Sequence, residues 1–463
     1  MNSPPVKGGG IEEEIIKTEN KEKIIRLETV SWGMYDWANS AFATVILSVI
    51  YNKYFAQVVA GGEKGVDILE INIHGAALWD FIVSIAMLIV AVISPFLGAI
   101  ADSSAKKRPF QIFFCYVGVI FSGLLFFVGA GDYLIGSLFF ILALIGFSSS
   151  IVFNDSFLIQ ISTEKNIGRI SSLGWGLGYI GGGLLLLINL TMLQFPNLVG
   201  LPKGYFTVQD CFLSVAVWWF IFSIPTFLFV REKSFGSKLP EGESYIIVGI
   251  KRLANTLKSI KHHKELFKFL LAFLIYNDGI ETVIIMTSIF GAEVVKMETG
   301  EIIMFFLMIQ FIAFAGSMIF GHFADSMGKK VAIIISLVIW TFISIWAYFI
   351  GIIWDIKTEY WILGVIAATV LGGSQAISRS LCGALTPNEK AAEFFGFYAI
   401  SGRFASIFGP LIYGLIIHWT KSVQAGILSV TLFFIVGMLI LFTVDEKKGI
   451  EEKNNSGLLQ NYN

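Results

Sequence analysis

Apolar residues in this chain gather into long unbroken runs, not into the alternating or one-faced patterns of soluble strands and helices. The runs fall at roughly 37–59, 76–101, 110–130, 134–157, 171–193, 209–230, 266–290, 301–324, 330–350, 360–382, 394–418 and 423–443, each close to the ~20 residues that a helix needs to cross a bilayer. Backbone N–H and C=O groups in lipid must find partners within the segment, so the pattern predicts about twelve membrane-spanning helices. The polar stretch 231–265 parts them six and six. The implied organisation is a tail over 1–30, a six-helix bundle over 31–230, a linker over 231–265, a second bundle over 266–443 and a tail over 444–463, with both tails expected to be disordered.

The two halves repeat one another. Gly98-Ala99-Ile100-Ala101-Asp102-Ser103-Ser104-Ala105-Lys106-Lys107 returns as Gly321-His322-Phe323-Ala324-Asp325-Ser326-Met327-Gly328-Lys329-Lys330. Glu164-Lys165 matches Glu389-Lys390, and Gly168, Gly174 and Gly181 match Gly396, Gly402 and Gly409 at nearly the same offset. A duplicated six-helix unit predicts an all-α membrane protein of twelve transmembrane helices in two pseudo-symmetric bundles, the mark of a transporter more than of a receptor or enzyme.

Composition agrees: 463 residues are 55% hydrophobic and only 14% charged, and mean hydropathy is +0.74, which no single aqueous core could hide. The net charge of −1 conceals an asymmetry. Lys and Arg number roughly 25 in the loops on one side and roughly 6 on the other, which puts both termini in the cytoplasm under the positive-inside rule. No short apolar segment with a cleavage site opens the chain, so no removable signal is expected. Cys115, Cys211 and Cys382 lie in or beside apolar runs without metal-ligand spacing and are expected as buried free thiols. No cofactor, metal or nucleic-acid site is expected, and without a nucleotide-binding loop ATP is not the expected driver.

Gly174, Gly178 and Gly182 form a small-residue ladder on the fifth helix that would let another backbone approach closely. Pro95, Pro225 and Gly409-Pro410 would bend their helices. In the linker, Ile246, Ile250, Leu253, Leu257 and Ile260 recur at helical spacing among Lys251, Arg252, Lys258 and Lys261, as in an amphipathic helix resting on membrane lipid.

Ionisable groups inside apolar runs are costly and mark cavities or partners. The first helix carries Tyr35, Asp36 and Asn39, the fourth Asn154 and Asp155, and the seventh Tyr276, Asn277, Asp278 and Glu281. The tenth carries Gln375 and Arg379, and the eleventh Arg403. Carboxylates on one wall and guanidinium groups on the other would suit a zwitterion: Arg379 or Arg403 for a carboxylate, Asp278 or Glu281 for an ammonium. A buried carboxylate could instead carry a coupling proton. The plain alternative is an internal salt bridge such as Asp278 with Arg379. In the hairpins, Asp102 and Asp325, with Lys106, Lys107, Lys329 and Lys330, are candidates for gating: each carboxylate can pair with basic groups or meet the N-terminus of a neighbouring helix.

At the hairpin copies the chain resembles the major facilitator superfamily, although Ala105 replaces the usual second glycine in the first copy. Four further stretches resemble the vacuolar amino-acid effluxer-like family: Tyr35-Asp36-Trp37-Ala38-Asn39-Ser40, Leu173-Gly174-Trp175-Gly176-Leu177-Gly178-Tyr179-Ile180-Gly181-Gly182-Gly183, Tyr276-Asn277-Asp278-Gly279 and Gly372-Gly373-Ser374-Gln375-Ala376-Ile377-Ser378-Arg379-Ser380. Glu393-Phe394-Phe395-Gly396-Phe397-Tyr398 adds to them. The resemblance implies the twelve-helix fold and, from fungal relatives, export of neutral amino acids. Glu281 stands where that pattern has Gln, and Leu158-Ile159 where it has Leu-Pro.

The expectation is therefore a monomeric multi-pass membrane protein that moves a small solute, a neutral amino acid, by alternating access, with protons as a candidate coupling ion. In a prokaryote it would sit in the inner membrane. Two alternatives stand beside it, an exporter of drugs or other metabolites and a transport-inactive sensor or scaffold that works through the linker helix.

Overall fold

The computed structural model describes residues 26–68, 70–104, 106–233, 249–251, 254–256, 260–404 and 408–460. Almost all of them are helical. The first half comprises α1 (Arg26–Val59), α2 (Gly75–Ser104), α3 (Lys107–Leu124), α4 (Tyr133–Ile161), α5 (Ile167–Gln194) and α6 (Val208–Phe229). The second comprises α7 (Lys264–Glu293), α8 (Thr299–Met327), α9 (Lys329–Tyr348), α10 (Ile356–Leu385), α11 (Ala391–Phe404), α12 (Phe408–Thr420) and α13 (Val423–Phe442), followed by α14 (Glu446–Gln460). A small antiparallel ribbon, β1 (Val66–Ile68) with β2 (Ile71–Ile73), links α1 to α2 and pairs Val66 with Ile73.

Among the described residues eleven helices are long and apolar enough to span a membrane. The described parts of the remaining expected span, 394–418, are helical and lie in α11 and α12, with 405–407 outside the described residues. Gly409 and Pro410, where a bend was expected, lie in α12 directly after the residues outside the described structure.

Large apolar side chains point outward along the spans, among them Val92, Phe127 and Leu134. In a bilayer such surface faces acyl chains and carries no penalty. The inward faces are aromatic and tight: Trp32, Trp219 and Trp340 are fully buried.

Both chain ends of the described structure lie on one face, called here the terminal face. There the halves are joined. α2 packs on α11 and α5 on α8, and α4 and α5 also touch α10. α12 packs mainly on α13 and α7 of its own half. The glycine ladder meets α1: a Cβ on Gly178 would lie 2.6 Å from Ser40 Oγ, and one on Gly182 2.5 Å from Thr44 Oγ1. Only a bare Cα allows these crossings.

One expectation needs correction. The segment after α13 is not disordered over its described length, because α14 docks on α7 and α10. Asp445 N donates to Glu265 at 2.8 Å, and Gly449 sits so close to Leu385 that a Cβ would fall 2.4 Å from its side chain. Burial and helix-end hydrogen bonds order a stretch that composition alone marks as soluble. The linker is helical at 249–251 and 254–256, and the rest of the expected amphipathic helix lies outside the described residues, as does the tail 1–25.

Candidate functional site

The site is organised by Arg379, six residues before the end of α10 and so about 9 Å inside the terminal face. Its guanidinium is 2% exposed and reaches out of the second half into the first. Nη1 donates to Asp36 Oδ2 of α1 at 2.8 Å and to Asp155 Oδ1 of α4 at 2.9 Å. Nε donates to Ser171 Oγ of α5 at 3.1 Å, and Nη2 to the Ser171 carbonyl at 2.8 Å. Ser171 Oγ in turn donates to the Ala376 carbonyl at 2.7 Å. The rings of Trp32 and Trp175 face the guanidinium with centroids 4.8 and 5.5 Å from Cζ, adding cation–π attraction.

Local sequence explains why the arginine fits. A Cβ on Gly174 would lie 2.5 Å from Asp36 Oδ2 and 2.6 Å from Arg379 Nη2. The glycine in Leu173-Gly174-Trp175 therefore makes room for the ion pair as well as for helix crossing. Gly372 and Gly373, two turns earlier on α10, pass as closely against α8 and Phe320.

The expected salt bridge between Asp278 and Arg379 does not form. Asp278 Oδ1 instead accepts the Gly409 N–H of α12 at 2.8 Å. Around it Gln375 Nε2 donates to Asn277 Oδ1 at 3.2 Å, and the Tyr276 and Ser378 hydroxyls are 2.7 Å apart. Glu281 is half-buried and within electrostatic reach of Tyr179. Asn154 accepts from Gln111 through Oδ1 and from Trp32 through its carbonyl. Tyr35 and Asn39 are buried on α1. The side chain of Arg403 lies outside the described residues. The structure thus brings Asp36 together with Arg379, and keeps Asp278 on a separate contact within the second half.

The two hairpins meet opposite halves. Asp102 Oδ2 accepts the Glu393 N–H at the start of α11 at 2.9 Å, with Lys107 Nζ 2.8 Å from Oδ1. Asp325 accepts the Gly168 and Arg169 N–H groups at the start of α5 at 2.8 and 2.9 Å, and Arg169 Nε at 3.1 Å. Gly98 and Gly321, one turn earlier in each copy, lie against Ala392 and Ser172 so closely that a Cβ would fall 2.3 Å from an atom of either. Each copy is thus a glycine that admits the partner helix and an aspartate that caps it. Lys106 is exposed. Lys329 Nζ donates to the Glu164 carbonyl, and Lys330 Nζ to the Phe442 and Val444 carbonyls.

Five groups escaped sequence reasoning. Ser171 and the rings of Trp32 and Trp175 carry no charge to signal their role. Glu232 accepts the N–H groups of Lys107 and Arg108, and Glu446 those of Lys329 and Lys330, so each caps the third helix of its half. A signal did exist for these two: Val230-Arg231-Glu232-Lys233 recurs as Val444-Asp445-Glu446-Lys447.

Two helical halves joined through paired hairpins, with charge of both signs between them, define a transporter of the major facilitator superfamily. The solved proton:xylose symporter XylE, bound to 6-bromo-6-deoxy-D-glucose, superposes with a TM-score of 0.69 at 14% identity, over 94% of this chain and 99% of that one. The chain belongs to the vacuole effluxer Atg22-like family, whose model matches residues 25–168 and 159–454. It is 33% identical to the uncharacterized MFS-type transporter YxiO of Bacillus subtilis over 90% of this chain and 94% of the relative. It is 23% identical to autophagy-related protein 22-1 of Penicillium rubens over 86% and 80% of the two chains. The protein is thus an integral membrane secondary transporter and not an enzyme.

Proposed function

We propose that the protein moves a small zwitterionic solute of the neutral amino-acid class by alternating access, with the terminal face in the cytoplasm and a single chain as the working unit. The observation that carries this reading is the reach of Arg379 across the halves to Asp36 and Asp155. Opening the terminal face must pull the guanidinium from both carboxylates. Bare charges left in an apolar bundle are expensive, and a solute that offers an ammonium to one side and a carboxylate to the other replaces both partners at once. Asp36 and Asp155 take the ammonium role expected of Asp278 and Glu281, and Arg379 keeps its expected role.

The hairpins act as the gate in this scheme. Asp102 and Asp325 cap helices of the opposite half and hold the terminal face shut, and both contacts break when it opens. The basic residues beside them fix the loops in the cytoplasm. The name of the matching family, a vacuole effluxer, agrees with movement of a solute across a membrane.

The test is counterflow in proteoliposomes with a panel of labelled amino acids. Wild type should exchange at least one neutral amino acid, and Arg379→Gln should lower the rate by about a hundredfold, the cost of an unpaired buried charge pair. No exchange of any amino acid overturns the substrate class. Apolar cation transport that tolerates Arg379→Gln favours the drug exporter.

A further inference from the structure

The triad holds two carboxylates against one guanidinium. Both accept from the same nitrogen, Arg379 Nη1, and all three side chains are at most 10% exposed. Among the described side chains neither carboxylate pairs with another cation. Cys382 of α10 and Tyr398 of α11, among the described residues, are also within electrostatic reach of Asp155, and both are neutral near pH 7. Among the described side chains the ionised cluster therefore carries one surplus negative charge in a buried site, and a single proton cancels it.

The cluster is also divided between the halves. Asp36 and Asp155 belong to the first, Arg379 to the second, and Ser171 fastens the guanidinium to α5. With the terminal face shut, the arginine competes with a proton for the carboxylates. With that face open, the arginine is withdrawn and two like charges are left together on one wall. A proton then binds more readily, because like charges at short range disfavour joint ionisation. Any ligand that binds one conformation better shifts the balance towards it, and the converse also holds.

We propose that Asp36 and Asp155 together hold one exchangeable proton, and that its binding releases Arg379 and drives the terminal face open. Protons are then the coupling ion, and the site couples through conformation as well as by occupying charge. The proposal rests on the alternating-access reading above but not on the identity of the solute. A measurement without solute therefore separates the two.

The experiment is a distance measurement between spin labels on the purified full-length protein in liposomes. Labels go on cysteines introduced at Lys165 between α4 and α5 and at Lys447 in α14, both exposed on the terminal face. The native Cys115, Cys211 and Cys382 are buried and stay unlabelled. Lowering pH from about 8 to about 5 should raise the long-distance, open population of wild type, with a slope of at most about tenfold per pH unit, the limit for one linked proton. Asp155→Asn and Asp36→Asn should each raise the open population at high pH and flatten the pH response at least threefold.

A wild-type distribution that does not move with pH overturns the proposal, and this arm needs no variant to fold. A response that survives both substitutions also overturns it, and one that vanishes only in Asp278→Asn moves the proton to α7. Failure of amino-acid exchange with an intact pH response would sink the solute and leave the proton site standing.

Discussion

The two hairpins share a sequence and a fold, yet divide their bonds differently. In the first copy Asp102 spends one carboxylate oxygen on its own half, through Lys107 at 2.8 Å with both side chains at most 6% exposed, and crosses to α11 with a single N–H contact. In the second copy Asp325 makes all three of its bonds across the divide, to two backbone N–H groups of α5 and to an arginine 57% exposed. Duplication gave both copies the same geometry of glycine, turn and carboxylate. Later divergence made one a buried structural pair and left the other devoted to holding the halves together. The lysine that follows shows the same split: Lys107 binds the hairpin aspartate, while its counterpart Lys330 caps carbonyls at the end of α13.

If that division holds, Asp102→Asn should be felt first in stability. It strips Lys107 of its anion in a buried site, and breaking such a pair costs on the order of 3 kcal/mol or more. Thermal unfolding in detergent should show the loss. A double variant, Asp102→Asn with Lys107→Met, should recover most of it, since removing both charges leaves no orphan. A double variant no more stable than the single one breaks the comparison.

Asp325→Asn should act on the gate instead. Its bonds join helices that must part, so weakening them shifts the conformational balance and leaves each half intact. A charged hydrogen-bond acceptor at a helix start contributes about 2 kcal/mol, which is about a thirtyfold shift toward the open terminal face. Label distances across that face would report it, with the melting temperature nearly unchanged. Equal losses of stability in Asp325→Asn and Asp102→Asn would erase the distinction.

The caps that lie within one half sharpen it further. Among the described residues Glu232 binds α3, and Glu446 binds α9 through the backbone of Lys329 and Lys330 and the Lys329 side chain. Glu232→Ala and Glu446→Ala should each cost about 1 kcal/mol, the usual value of a lost helix cap, and neither should move the gate.

The number of spans, the duplication and the hairpin carboxylates were legible in the sequence because each leaves a local mark: a run of apolar residues, a repeated string, a charge in the wrong place. The meeting of Asp36 and Asp155 with Arg379 was not, because those residues lie 224 or more positions apart and nothing local ties them. Charge counting offered Asp278 as the nearer partner, and the Gly409 N–H of α12 took it instead, a backbone donor that no sequence of charges reveals. The docked α14 was missed for the opposite reason. Its composition is that of a solvated tail, and contacts with Leu385, Glu265 and the start of α9 order it.

Arg169→Ala should change least. The arginine is 57% exposed, and its Nε bond to Asp325 is the outermost of the three. Exposed pairs contribute about 0.2–1 kcal/mol. Arg169 also stands in the first turn of α5, where a positive charge opposes the helix dipole by about 0.3–1 kcal/mol, so its removal relieves nearly what the lost pair forfeits. The backbone N–H groups of Gly168 and Arg169 survive the substitution and go on donating to Asp325. Gate distances and transport in Arg169→Ala should therefore stay within about threefold of wild type, against the thirtyfold shift from Asp325→Asn. A loss as large as that of Asp325→Asn would mean that the second hairpin works through its exposed ion pair, and the contrast between the copies would lie in the arginine instead of in the capped helix.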